Sequence, residues 1–109
     1  MKRSRIGAMR HRVVLEAPTR TADGGGGASV AWTTVAELWA AVEPATGTEG
    51  VLGEGIAGRI SHEVALRYRS DIEPTMRFRL GARVLEIRAV LDVDERRRML
   101  RCLCREELP

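Results

Sequence analysis

Apolar and polar residues alternate along most of this chain with a period of two. In RHRVVLEA, residues 10–17, His11, Val13, Leu15 and Ala17 share one parity, while Arg10, Arg12, Val14 and Glu16 share the other. That is the pattern of a strand with one face on a core, and Pro18 is expected to end it. In VAWTTVAELWAAVE, residues 30–43, one parity holds Val30, Trp32, Leu38, Ala40 and Val42; the other holds Thr33, Glu37, Trp39 and Glu43. The run exceeds the usual strand length of about 3–10 residues, so a bend or bulge is expected between Thr34 and Glu37. Its Ala, Glu and Leu suit a helix locally. The Trp, Thr and Val content and the closing Glu-Pro favour a strand.

The alternation resumes in HEVALRYR (62–69), with His62, Val64, Leu66 and Tyr68 inward, and in MRFRL (76–80), with Met76, Phe78 and Leu80 inward. RVLEIRAVL (83–91) puts Leu85, Ile87, Ala89 and Leu91 on one parity, and RRRMLRCLC (96–104) does the same for Leu100, Cys102 and Cys104. Between these runs lie the glycine-rich TRTADGGGGAS, SDIEPT around Pro74, a tight reversal at Gly81, and DVDE, where LDVDERRRML could instead begin a short helix. Six short strands joined by turns predict an all-β fold, a small antiparallel barrel or sandwich. With 109 residues, the chain makes one domain, 1–109.

One connection breaks the pattern. EPATGTEGVLGEGIAGRIS, residues 43–61, contains five glycines and no clear period. A helix there is disfavoured, because each interior glycine costs up to ~1 kcal/mol relative to alanine. The expectation is a projecting loop over 44–60 that is mobile in the free protein and gains order against a partner. Long irregular connections in small domains are usually functional or disordered.

Composition narrows the function. The net charge of +3 is too small to require nucleic-acid binding, and no run reaches the roughly 18 apolar residues of a membrane span. The basic start, MKRSRIGAMRHR, lacks the apolar stretch of a secretory signal, so synthesis in the cytoplasm is expected. Arg67, Arg69, Arg77 and Arg79 occupy the polar parity of two consecutive runs. If those strands pair, they make one cationic face, suited to carboxylate partners or to phosphate. The aromatic residues fall mostly on inward parities, which disfavours a base-stacking surface.

No residue set points to catalysis. Gly-x-Ser-x-Gly is absent, and the glycine run at 24–27 lacks the lysine and following helix of a phosphate loop. Ser61 and His62 are neighbours, which on a strand would turn them to opposite faces. His11 and His62 read as satisfied core residues. Cys102 and Cys104 read as buried free thiols, since a structural zinc site needs about four ligands. Neither a metal nor a cofactor is expected, and the chain does not read as an enzyme.

The ordered set Arg-His-Arg-Val at 10–13, Trp-Ala-Ala-Val-Glu-Pro at 39–44, Arg-Tyr-Arg at 67–69 with Pro-Thr-Met-Arg at 74–77, and Ile-Arg-Ala-Val-Leu-Asp at 87–92 resembles the head-closure proteins of long-tailed bacteriophages and phage-like gene transfer agents. These are also called head–tail connectors or stoppers. The resemblance runs from about Ile6 to Glu106. It implies a small β-barrel with an N-terminal arm at 1–9, assembled as a ring of six or twelve copies in the neck of a particle. The ring would close the DNA-filled head, contact the portal adaptor on one side and the tail terminator or tail tube protein on the other, and lie beside double-stranded DNA in the channel.

On the same resemblance, the segment from Pro44 to Ile60 is the gate, with Thr46, Glu49, Val51, Leu52, Glu54, Ile56 and Arg59 facing the channel. Arg67, Arg69, Arg77 and Arg79, together with the N-terminal arm, are then expected at contacts with neighbouring proteins. A small nucleic-acid-binding barrel and a tail-terminator ring protein are the alternative readings.

Overall fold

In a computed structural model, residues 8–22, 24–45 and 60–107 are described. They form six strands: β1 (His11–Ala22), β2 (Ala28–Pro44), β3 (His62–Arg67), β4 (Arg77–Leu80), β5 (Arg83–Asp92) and β6 (Met99–Glu106). All neighbours pair antiparallel, and the ring β1-β2-β3-β6-β5-β4 closes on itself. Closure buries both edges of most strands, which is how small all-β domains avoid exposed hydrogen-bonding groups. The six expected strands are therefore present and form a barrel.

The barrel core comes from the alternating positions. Val13 and Leu15 of β1, Ala40 of β2, Val64 and Leu66 of β3, Phe78 of β4, Leu85 and Ile87 of β5, and Leu100, Cys102 and Cys104 of β6 pack together. Ile72, in the connection between β3 and β4, also joins this cluster, so that connection plugs the barrel as well as turning the chain. Both cysteines are free and buried, as expected. Burial pushes the Cys102 thiol up to about 12, and burial followed by the nearby Cys102 pushes Cys104 well above the ordinary range. At β4–β5 the two residues between Leu80 and Arg83 make the turn, and Gly81 takes φ +62°, a left-handed conformation that glycine adopts without steric cost.

Register corrects the expectations for Pro18, for Val30 and Trp32, and for Leu91. β1 does not stop at Pro18: it continues to Ala22, with Pro18 opposite Trp32. Proline is tolerated there because β4 pairs only with Val14, Leu15 and Glu16, leaving the rest of that edge open with no ladder bond to lose. In β2, Leu15 faces Ala36 and the next residue, Glu16, faces Thr34. Val35 is thus an extra residue, a bulge within the expected interval, and it reverses the parity on its N-terminal side. Val30 and Trp32 consequently turn to the outside instead of joining Leu38 and Ala40.

A second bulge lies at Arg88, because Ile87 faces Cys104 and Ala89 faces Leu103. It sends Leu91 outward, where it is exposed, and brings Val90 against the core instead. The β5–β6 connection contains one 3-10 turn, Val93–Glu95. Asp94, Glu95 and Arg97 all take positive φ there, and Asp92 accepts the Arg97 backbone N–H at 3.0 Å.

Because both thiols are buried and protonated, iodoacetamide at about pH 8 is expected to leave Cys102 and Cys104 unmodified in the folded protein and to alkylate both after denaturation. Mass spectrometry reads the result, and rapid labelling of the native chain would place the thiols outside the core.

Candidate assembly surfaces

Beyond Glu16, β1 has no neighbour except β2, and residues 28–34 of β2 have none except β1. The two strands therefore leave the barrel as a two-stranded arm whose tip turns through Gly24 and Gly26, both at positive φ. Two-stranded ribbons are marginal alone, so the arm needs bracing at its root. Glu16 provides it. The bulge and the β1–β4 register bring Glu16 beside Arg77, and the two arginines of β4 converge on its carboxylate: Arg77 Nε donates to Oε1 at 2.7 Å and Arg79 Nε to Oε2 at 2.9 Å. The Arg77 guanidinium also lies 4.0 Å from the Trp32 ring centroid, within cation–π range.

Glu16 is 5 % exposed, the one buried charged side chain among the described residues. Burial alone would raise its pKa. Hydrogen bonds from Arg77 and Arg79, followed by their charges, outweigh that and hold it below the usual carboxylate value. A second, more exposed brace repeats the motif: Arg12 donates to Glu37 at 3.3 Å and lies 5.0 Å from the Trp39 ring.

This geometry divides the four arginines expected to share one face. β3 pairs with β2 and β6, and β4 pairs with β1 and β5. The two strands lie across the barrel from each other, so the expected face does not exist. The chain from β3 to β4 crosses the barrel end through the Ile72 plug and does not turn back as a hairpin. Arg77 and Arg79 are committed to Glu16. Arg69, just past β3, donates two hydrogen bonds to Asp71 at 3.0 and 2.9 Å, which lower the Asp71 pKa. Arg67 is exposed and has no ion-pair partner among the described residues.

At the opposite pole, the strands flanking the long connection meet in a stem. Pro44 pairs with His62, and Ala45 N–H donates to the Ser61 carbonyl at 3.0 Å. Thr46, Glu49, Val51, Leu52, Glu54, Ile56 and Arg59 lie outside the described residues. Ser61 anchors the stem to β6: its N–H donates to the Cys104 carbonyl at 2.8 Å, and its hydroxyl accepts the Glu106 N–H at 2.7 Å.

Contrary to expectation, Ser61 and His62 do touch, with Oγ and Nδ1 3.0 Å apart. Ser61 precedes β3, so strand alternation does not separate them. The other ring nitrogen of His62 faces Arg83 at 3.3 Å, and Arg83 also donates to Glu106 at 2.9 and 3.2 Å. A serine–histidine–acid relay needs its serine and acid on opposite ring nitrogens. Here the Glu106 carboxylate approaches the same Nδ1, at 3.9 Å, so the cluster fastens the stem and is no such relay.

A family model described as phage head completion protein matches residues 4–107. The chain belongs to that family. Head completion proteins are structural, and this one is not an enzyme. Two solved structures share the fold. Protein SF1141 from Shigella flexneri 2a is 28 % identical, with 94 % of this chain and 96 % of that one covered and a TM-score of 0.74. A chain of the virion of a native gene transfer agent particle is 32 % identical, with 97 % and 98 % covered and a TM-score of 0.69. No curated protein sequence matches. No helix among the described residues of this head completion protein is long and apolar enough to cross a membrane, and no described cluster of His, Cys, Asp or Glu could hold a metal.

The arm brace was not legible in the sequence. Glu16 looks like any outward strand residue until the bulge and the β1–β4 register bring two arginines to it. Glu16→Gln is expected to lower stability at pH 7 by about 1–3 kcal/mol, the cost of leaving a charged partner unsatisfied. The folded pKa of Glu16 lies below its ordinary 4.5. Its contribution is therefore complete above that value and is lost as pH falls through the folded pKa, so denaturant melts from pH 7 to 3 should show a shallower acid loss in the variant. Arg77→Glu should destabilise by facing a second carboxylate onto Glu16, whereas Arg67→Glu should leave the melting temperature unchanged.

Proposed function

We propose that this head completion protein forms a ring in the neck of a phage-type particle, between the portal adaptor and the tail terminator or tail tube, where it closes the DNA-filled head and offers the tail a docking surface. The observation that best supports this is the stem. Pro44, Ala45, Ser61 and His62 fix both ends of the long connection at one point on the barrel rim. In a ring of six or twelve copies, the segments of residues 44–60 would meet around one axis, and Thr46, Glu49, Val51, Leu52, Glu54, Ile56 and Arg59 would line or narrow the channel. The solved relative from a gene transfer agent virion supports a place in the assembled particle.

The segment's chemistry suits that position. DNA carries about one charge per 1.7 Å of axis and adheres to cationic walls. Residues 46–59 carry Glu49 and Glu54 against Arg59 alone, so DNA can pass without being held. The opposite pole, with the arm and Arg67, then faces neighbouring proteins.

Deletion of residues 47–57 is the direct test. The stem lies outside the deletion, so the barrel and its oligomer should form as in the parent chain, while filled heads should lose DNA, measured as nuclease-sensitive DNA per particle. Particles that stay sealed would remove the gate from the proposal. Folded barrels that never enter the particle neck would remove the ring position itself.

A further inference from the structure

We propose that the free edge of β2 is a strand-docking site for an extended peptide segment of a partner protein, apolar and acidic in alternation. β1 covers one edge of β2, and β3 covers the other only at residues 41–44. On that second edge, residues 28–40 face no strand, which at about 3.3 Å per residue leaves roughly 40 Å of open backbone.

Proteins usually blunt such edges with proline, lysine or arginine. The free edge of β1 carries Pro18 and Arg20; the β2 stretch SVAWTTVAELW has none of the three, and the Val35 bulge is its one interruption. Apolar exposure is concentrated on the same strand. Of the five exposed large apolar side chains among the described residues, Val30, Trp32, Val35 and Trp39 belong to β2, and they are 36–54 % exposed.

Where β2 and β3 part, the edge opens on a cleft of about 360 Å³ lined by Leu38, Trp39, Leu66, Arg67 and Tyr68 among others. Leu38, Leu66 and Tyr68 pack on the core and make an apolar floor. The polar groups select the occupant. Glu37 is paired with Arg12 and Arg69 with Asp71, while Arg67 has no ion pair and the Tyr68 hydroxyl no hydrogen bond among the described residues. The cleft's uncompensated charge is therefore positive, and it suits a carboxylate on the incoming strand.

The chain's own segments outside the described residues do not match in sequence. Residues 1–7 bring Lys2, Arg3 and Arg5 and no acid, and residues 46–59 are broken by five glycines, which weaken a strand. Base stacking is disfavoured too, since Arg12 already lies over one face of the Trp39 ring and Arg77 over one face of the Trp32 ring. An acidic, strand-forming segment of another protein is what remains, and its mode is strand addition.

Two experiments test this, and neither depends on the position of the ring. Amide exchange is compared between the purified chain, in whatever oligomer it adopts, and the chain in complete particles. The amides of residues 29–40 that point away from β1 should exchange at least about tenfold more slowly in particles. Equal exchange at these amides overturns the proposal, as does protection of the same amides already present in the purified chain, which would assign the edge to a second copy.

In the second experiment, acetyl-Val-Glu-Val-Thr-Val-Glu-Val-amide is added to the purified chain and backbone amide resonances are followed. Shifts are expected at residues 33–40 and 66–68. A lysine-for-glutamate version should bind about tenfold more weakly, and Arg67→Glu should reverse the order. No binding, no charge preference, or stronger displacement of the same resonances by duplex DNA would each overturn the proposal.

Discussion

The three-residue seam between β1 and β4 is the constraint on which the rest of the structure depends. Val14, Leu15 and Glu16 meet Arg79, Phe78 and Arg77, and no other pairing closes the ring. Its inner layer is Leu15 against Phe78, both fully buried; its outer layer is one carboxylate held by two guanidinium groups. With so few ladder bonds, a solvated outer layer would leave the seam open to fraying. The Glu16 pair of charge-assisted hydrogen bonds locks β4 onto β1 at the point where β1 leaves the barrel, so closure and the root of the arm are one feature.

From that seam the molecule acquires two unlike poles. One carries the arm, the open edge of β2 and Arg67. The other carries the stem of the long connection, tied to β6 through Ser61 and to β5 through Arg83 and Glu106. A head completion protein assembles with other head and tail proteins, and a closed barrel suits this because its wall is self-sufficient. Features at the two rims can differ without disturbing the core. The bulges at Val35 and Arg88 belong to the same logic: each turns side chains that simple alternation would bury, Trp32 in one case and Leu91 in the other, toward the surface.

The strands were legible because alternation with one buried face is a local property. Residue by residue, it located five of the six strands to within a few positions and placed Cys102, Cys104, Phe78 and Leu85 inward. It also flagged the Thr34 to Glu37 interval as too long to run straight. The resemblance carried by the ordered motifs led to the family and to a non-enzymatic role. Pro18 misled the reading because a proline ends a strand only where a neighbour needs its N–H, and the missing neighbour is a fact of topology.

Local alternation thus determined which residues make strands and which face each strand prefers. Only the tertiary structure decided which strands are neighbours. The β3–β4 connection could have been a hairpin, and only barrel closure sends it across the end, dividing Arg67 and Arg69 from Arg77 and Arg79. The same closure gave Glu16 its partners and left β2 with an unpaired edge. Every residue but proline offers a strand's edges the same backbone N–H and C=O, so pairing is settled by the packing of the whole ring and leaves little local mark in the sequence.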